Sequence, residues 1–220
     1  MGRIGQRIAE WVVTNQRIVG VVLAAGASRR AGFAKALAVL EGETFLRRSC
    51  SALAAGGCAA VYVVVGGPLR ERIREELPRG VLFCENSEPS RGMSSSLAVA
   101  LSLPDVARAD AAVVSLVDHP RVKPETIAAL IAHWRVTRAG VVRPTHAGRG
   151  GHPYMLDRRL FTAFLALPCG SDPRPFFAEH LEELEVSDPG VLDDADEAEE
   201  VRALGAEPPP PSGAFTDTHH

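Results

Sequence analysis

The period of the apolar positions switches repeatedly along the chain. Ile18 to Leu23 (IVGVVL) is an unbroken apolar, β-branched run, the pattern of a strand buried on both faces. Ala60–Val65, Val81–Cys84, Ala111–Val117 and Gly140–Pro144 repeat that signature, and Ala36–Leu40 reads as a short extended piece. Between them lie segments with helical periodicity. Thr44–Ala55 has Thr44 as N-cap and Gly56-Gly57 as stop. Leu69–Leu77 ends at Pro78, a serine-rich helix reaches Leu101, and another helix runs from Pro124 to about Trp134. Arg158–Leu167 reads as helical, and Phe176–Glu185 as a helix leading into a short strand. Strand and helix alternating at this spacing predict an α/β domain, a mostly parallel sheet with helices on both faces, with right-handed crossovers. Ligands of such sheets sit at the carboxyl ends of the strands. The domain spans residues 17–205. Residues 1–16 form an N-terminal extension in which Ile4, Ile8, Trp11 and Val12 recur at helical spacing, compatible with a packed helix, a partner-binding arm or partial disorder. Residues 206–220, with Pro208–Pro211, read as a disordered tail.

Composition adds mainly exclusions. A chain of 220 residues, 46% hydrophobic and 23% charged, can build one ordinary core. A net charge of −3 points to neither a nucleic-acid nor a membrane-surface partner. Cys50, Cys58, Cys84 and Cys169 are scattered without a Cys-x-x-Cys pair, so buried thiols in a reducing compartment are expected. No apolar run reaches membrane-spanning length and no signal-peptide core is visible, so a cytoplasmic protein is expected.

The candidate chemistry starts where the first strand stops. Ala24-Ala25-Gly26-Ala27-Ser28 is a turn of small residues, followed by Arg29, Arg30, Gly32 and Lys35. Exposed backbone N–H groups with three nearby cations suit a phosphate. The P-loop spacing and the Gly-x-Gly-x-x-Gly fingerprint are both absent. At Arg91-Gly92-Met93-Ser94-Ser95-Ser96 a helix begins with hydroxyls and free N–H groups, which suits an anion and equally suits plain N-capping. Asp118 ends the fourth long strand, where a hard divalent cation would be its natural partner. The alternative, an N-cap for the helix at Pro124, is disfavoured by Pro120 and the intervening gap. On residue chemistry alone, His152 is a turn histidine and the acidic run Asp188–Glu200 a solvated cap.

Together these segments resemble the MobA-like nucleotidyltransferases, in particular the molybdenum cofactor cytidylyltransferases. The resemblance rests on Leu23-Ala-Ala-Gly-x-Ser-x-Arg-x-Gly-x-x-Lys35, on Asn86 followed by Gly92-Met93-x-x-Ser96-Leu97, on Asp118-x-Pro120, on Gly151-His152-Pro153 and on Asp194-x-Asp196. It implies a single Rossmann-like three-layer domain of the nucleotide-diphospho-sugar transferase type. It implies a nucleotide held by Leu23, Ala24, Ala25, Gly26, Ser28, Arg30, Gly32, Lys35, Asn86, Gly92, Met93 and Ser96. Arg30, Lys35 and Asp118 would be catalytic. Mg2+ would be bound by Asp118 with Asp194 or Asp196, Asp194 being favoured. Arg149, Gly151 and His152 would lie near the acceptor. The Ala-Ala-Gly version of the loop is typical of cytidylyl members, so CTP is expected before GTP, with a molybdopterin-type acceptor and a molybdoenzyme apoprotein as a further partner. The chain departs from the family at His119, often Gln there, and at Cys169–Pro175, where Asp172 and Arg174 lack the Gly-Asp-x-Gly-Ala-Arg spacing. Two alternatives remain: transfer to another phosphorylated acceptor such as a sugar phosphate or phospholactate, and a non-catalytic nucleotide-binding accessory protein of molybdoenzyme maturation.

Overall fold

The computed structural model describes residues 16–26, 33–168, 170–195 and 197–209. Its strands are β1 (Ile18–Leu23), β2 (Val39–Leu40), β3 (Glu43–Thr44), β4 (Ala60–Gly66), β5 (Leu82–Asn86), β6 (Ala111–Leu116), β7 (Val141–His146), β8 (Arg149–Gly150), β9 (Tyr154–Asp157) and β10 (Leu181–Glu185). Its helices are α1 (Phe45–Ala55), α2 (Arg70–Glu75), α3 (Met93–Leu101), α4 (Pro104–Ala107), α5 (Pro124–Thr137), α6 (Phe161–Leu165), α7 (Arg174–Ala178) and α8 (Ala198–Ala203). The main sheet has the order β10-β7-β9-β6-β1-β4-β5, with β8 hydrogen-bonded to β7. The first run is thus central, flanked in parallel by β4 and β6. All six of its residues are buried, as an unbroken apolar run demands.

Because side chains alternate across a strand, the runs supply two cores at once. Val22, Val63 and Val113 pack with Phe45, Leu46, Leu53, Ile127 and Trp134 on one face. Val21, Val64 and Val114 pack with Leu97, Leu101 and Phe161 on the other. This is the three-layer, mostly parallel arrangement that the alternation predicts. Thr44 caps α1 as expected, its side chain accepting the Arg47 N–H at 3.2 Å. Cys50, Cys58 and Cys84 are buried free thiols pushed up by desolvation to about 12, 12 and 11, and are chemically quiet. Cys169 lies outside the described residues.

Several local expectations change. Lys35–Leu37 is a 3-10 turn leading into β2, not an extended piece. The residues after Pro153 form β9, which runs antiparallel between β6 and β7. Trp134 pins α5 to this strand, its Nε1–H donating to Asp157 Oδ2 at 2.9 Å. The region 176–185 is, as expected, a helix leading into a short strand: α7 ends at Ala178, and β10 extends the sheet beside β7. Arg158–Leu167 begins as a 3-10 turn and becomes α6 only from Phe161. The domain continues past residue 205: Ala206 is buried, and Glu207 exchanges both backbone hydrogen bonds with Val39 at 2.8 and 2.7 Å. That pairing adds a strand contact the apolar pattern does not reveal. Residues 1–15 and 210–220, and with them most of the expected extension and tail, lie outside the described residues. Among the described residues no helix is long and apolar enough to cross a membrane.

Candidate active site

The register levels the carboxyl ends of β1 and β6, Leu23 standing opposite Leu116, while β4 passes Leu23 at Val64 and ends two residues later at Gly66. Beyond them the chain leaves β1 through Ala24-Ala25-Gly26, tied back by Ala24 N–H to Val64 O at 2.9 Å. Val117 N–H donates to Leu23 O at 3.4 Å, so the segment carrying Asp118 runs beside this turn. The result is a cleft of about 310 Å³, lined among others by Leu23, Ala24, Ala25, Gly26, Lys35, Gly92, Met93, Ser96 and Asp118. Small side chains leave the backbone accessible, and a Cβ at Gly26 would meet none of the described residues within 4 Å. Ser28, Arg30 and Gly32, along with Arg29, lie outside the described residues.

Lys35 and Asp118 meet at the cleft floor, with Lys35 Nζ 2.5 Å from Asp118 Oδ2 and their side chains 11% and 14% exposed. The other carboxylate oxygen, Oδ1, lies 3.1 Å from His119 Nδ1. Burial alone would raise the Asp118 carboxyl. The His119 hydrogen bond and the Lys35 ammonium outweigh it and hold the group well below the usual carboxylate range. Asp118 is therefore an anion throughout the neutral range. It is not a helix cap, since Lys123 occupies the N-cap position of α5.

Helix α3 brings the third wall. Its N-cap is Gly92, with φ at 91° and, among the described residues, no side-chain cap hydrogen bond. The positive end of the helix dipole thus opens beside Gly92, Met93 and Ser96 in the cleft. Asn86 does not join them. It is buried, its amide N–H groups donate to Ser95 Oγ at 2.9 Å and Ser96 Oγ at 3.0 Å, and its Oδ1 accepts from Glu88 N–H at 2.9 Å. With its amide spent inside the protein, Asn86 braces the first turn of α3 instead of lining the cleft. Leu97 points into the core beneath.

The second acidic segment reaches the same place by an unexpected route. Asp188, read as part of a solvated run, is buried and accepts from Lys123 N–H at 2.9 Å, Thr126 Oγ1 at 2.7 Å and Gly190 N–H at 3.1 Å. It clamps the 3-10 turn Pro189–Leu192 to the start of α5. That turn lies against Gly151: a Cβ there would be driven into the Val191 carbonyl, and only glycine permits this approach. His152 N–H donates to Val191 O at 2.9 Å. Ala195 N–H then donates to Asp118 O at 3.2 Å, bringing the chain at exposed Asp194 alongside Asp118. Asp196 lies outside the described residues.

His152 meets His119 edge-on, ring centroids 5.0 Å apart, and its Nδ1 is buried with no hydrogen-bond partner among the described residues. Burial, then the neighbouring His119, pushes it down to about 4. The ladder continues through Tyr154 at 5.7 Å to Phe177, 5.0 Å further on. Arg149 stays on the exposed β8 hairpin and is not among the residues lining the cleft. Asp172 and Arg174 are paired with each other on the surface. The structure thus assembles Leu23–Gly26, Lys35, Gly92, Met93, Ser96 and Asp118 in one crevice, with Asp194, Gly151 and His152 adjoining. His119, given no role from the sequence, is a buried partner of Asp118, and its only signal was the tripeptide Asp118-His119-Pro120 itself.

Among the described residues no group of three or more His, Cys, Asp or Glu side chains could hold a metal ion alone. An anionic Asp118 with Asp194 nearby matches what Mg2+ requires, one or two carboxylates with phosphate and water completing the shell, and does not match a closed zinc site.

The MobA-like NTP transferase domain matches residues 20–184. The bifunctional enzyme IspD/IspF of Anaeromyxobacter dehalogenans is 36% identical over 120 residues, 54% of this chain and only 29% of that protein's length. The crystal structure of Rv0371c from Mycobacterium tuberculosis superposes with a TM-score of 0.74 at 28% identity, covering 86% of this chain and 97% of the other. A complex of the same mycobacterial protein with manganese gives 0.69 at 25% identity, covering 86% and 98%.

Proposed function

The chain belongs to the MobA-like NTP transferase family, and from that premise we propose that it is a metal-dependent cytidylyltransferase moving CMP from CTP onto the terminal phosphate of a molybdopterin-type acceptor. One observation carries the reading: a small-residue turn, the Lys35–Asp118 pair and the open N-terminus of α3 converge on one cleft at the carboxyl edge of a parallel sheet. Such a cleft suits a phosphate-bearing ligand such as a nucleoside triphosphate.

An acceptor phosphate oxygen attacks the α-phosphorus. The new P–O bond forms as the bond to the β-phosphate oxygen breaks, and pyrophosphate departs with that electron pair. Phosphate monoesters lose their second proton near pH ~6, so the nucleophile is already an anion and no general base is required. What the chain supplies is positioning and charge. Lys35 and Arg30 neutralise the β- and γ-phosphates, the turn and α3 donate backbone N–H groups, and Gly151 and His152 border the acceptor. Asp118 and Asp194 would hold Mg2+ or Mn2+, which when bound supplies Lewis-acid neutralisation of phosphate charge. The manganese complex of the mycobacterial relative supports a divalent ion. The cytidylyl preference rests on Ala24-Ala25-Gly26. GTP is the second choice, and a molybdoenzyme apoprotein is the expected recipient of the product.

A second acceptor class, a sugar phosphate or phospholactate, is favoured by one feature: Asp172 and Arg174 are spent on each other where the cofactor enzymes carry a different motif. The test is thermal shift with CTP, GTP, ATP and UTP plus Mg2+, followed by pyrophosphate release with each acceptor. Binding raises stability by mass action, about 2.7 kcal/mol at ~100 times Kd. CTP should give the largest shift and molybdopterin acceptor the fastest release. Equal shifts for all four nucleotides, or release with sugar phosphate only, would overturn the specificity. Nucleotide binding without pyrophosphate release from any acceptor would favour the accessory-protein reading.

A further inference from the structure

We infer that His119 is a positioning residue for the transfer reaction: it holds the Asp118 carboxylate in one orientation and couples it to the acceptor-side segment through His152. The role in turnover rests on the proposed transferase function. The orientation itself does not.

Asp118 has two oxygens and both are engaged, Oδ2 by the Lys35 ammonium and Oδ1 by His119 Nδ1 at 3.1 Å. The terminal torsion of an aspartate is soft and nearly two-fold, so one anchor alone would let the group swing. Two anchors from opposite sides fix it. An ionised carboxylate can only accept a hydrogen bond, so the proton on His119 must reside on Nδ1. The imidazole is itself immobilised: it is 6% exposed and its ring meets His152 edge-on at 5.0 Å. His152 in turn is bonded through its backbone to Val191, and that segment returns at Ala195 to the Asp118 carbonyl. His119 therefore closes a loop of contacts joining Lys35, Asp118 and the segment carrying Asp194. A residue that merely filled space here would need no donor at this position.

Two substitutions separate the donor from the bulk. His119→Asn keeps a nitrogen donor on the atom next to Cγ and loses the ring. His119→Leu keeps apolar volume and loses the donor. With the charge-assisted bond that orients Asp118 gone, kcat should fall roughly 10- to 100-fold in His119→Leu, with KM for the nucleotide nearly unchanged. His119→Asn should recover most of that loss although it packs worse, and urea midpoints should not follow the same order. Equal loss in the two variants, better activity in His119→Leu, or full activity in His119→Leu would overturn the inference.

Nitrogen-15 NMR of the imidazole in the wild-type protein at alkaline pH gives a readout independent of turnover. The Nδ1–H tautomer is expected, replaced in Asp118→Ala by the Nε2–H form that a free histidine side chain prefers. An Nε2–H signal in the wild type overturns the assignment. The Nδ1–H signal in a protein that releases no pyrophosphate with any nucleotide would uphold the orientation and reject the transferase reading.

Discussion

The Lys35–Asp118 pair offers the sharpest perturbation. Its side chains are 83 residues apart in sequence, 2.5 Å apart in space and only 11% and 14% exposed. Removing one partner of a fully buried pair costs about 3–5 kcal/mol, because the other charge stays behind in a poor solvent. The residual exposure, and the His119 bond that Asp118 retains, place Lys35→Met at the low end, about 3 kcal/mol. Asp118→Ala should cost a similar amount by leaving the ammonium without this carboxylate. The double variant removes both charges together, so its loss should fall short of the sum by about 2 kcal/mol. Urea denaturation of the four proteins at neutral pH measures this coupling. It also has a pH signature. The Asp118 carboxyl is held below its ordinary 3.8, so the unfolded chain takes up that proton first on acidification. The contribution is present above the unfolded value and lost as pH falls through the depressed native one. In parallel, pyrophosphate release should drop ~10²–10³-fold in each single variant, the usual cost of one charge-stabilising group. Stability losses that add to within ~0.5 kcal/mol would show that the charges do not sense each other. Full turnover by folded Asp118→Ala with Mg2+ would dismiss Asp118 as a metal ligand.

Gly151→Ala should destabilise by about 2 kcal/mol, since a methyl group collides with the Val191 backbone and disturbs the His152 N–H bond to it. The acceptor KM should rise with it, and a variant within ~0.5 kcal/mol of wild type in urea would contradict the close approach. His152 is pushed from 6.5 down to about 4, so the unfolded state binds the proton more readily between those values and stability must fall as pH drops through them. Between about pH 7 and about pH 5 the loss from this group is roughly 2 kcal/mol. His152→Phe should remove that component from the urea stability profile, and an unchanged slope would exclude His152 as its source.

Much of the fold was legible because period and burial are local properties. The runs at Ile18–Leu23, Ala60–Val65 and Ala111–Val117 had to be strands, and the small-residue turn after the first had to sit where parallel sheets bind ligands. Thr44 announced its cap by type and place. Legibility failed where partners are distant or the pattern is weak. Tyr154–Asp157 is too short to declare itself a strand until β6 and β7 enclose it. Asp188 looked solvated because its neighbours are acidic, yet the start of α5 absorbs its charge. Asn86 matched a motif by position, and Ser95 and Ser96 consume its amide. The sequence by itself determined which chemistry the chain can perform: where cations, carboxylates and bare backbone occur, and that they hang on a parallel sheet. Only the tertiary structure decided that Lys35 and His119 share one carboxylate and that the segment at Asp194 is bonded to the backbone of the same residue. Electrostatic partnership depends on a few ångströms of separation and on exclusion of water, and neither quantity is written in the order of residues.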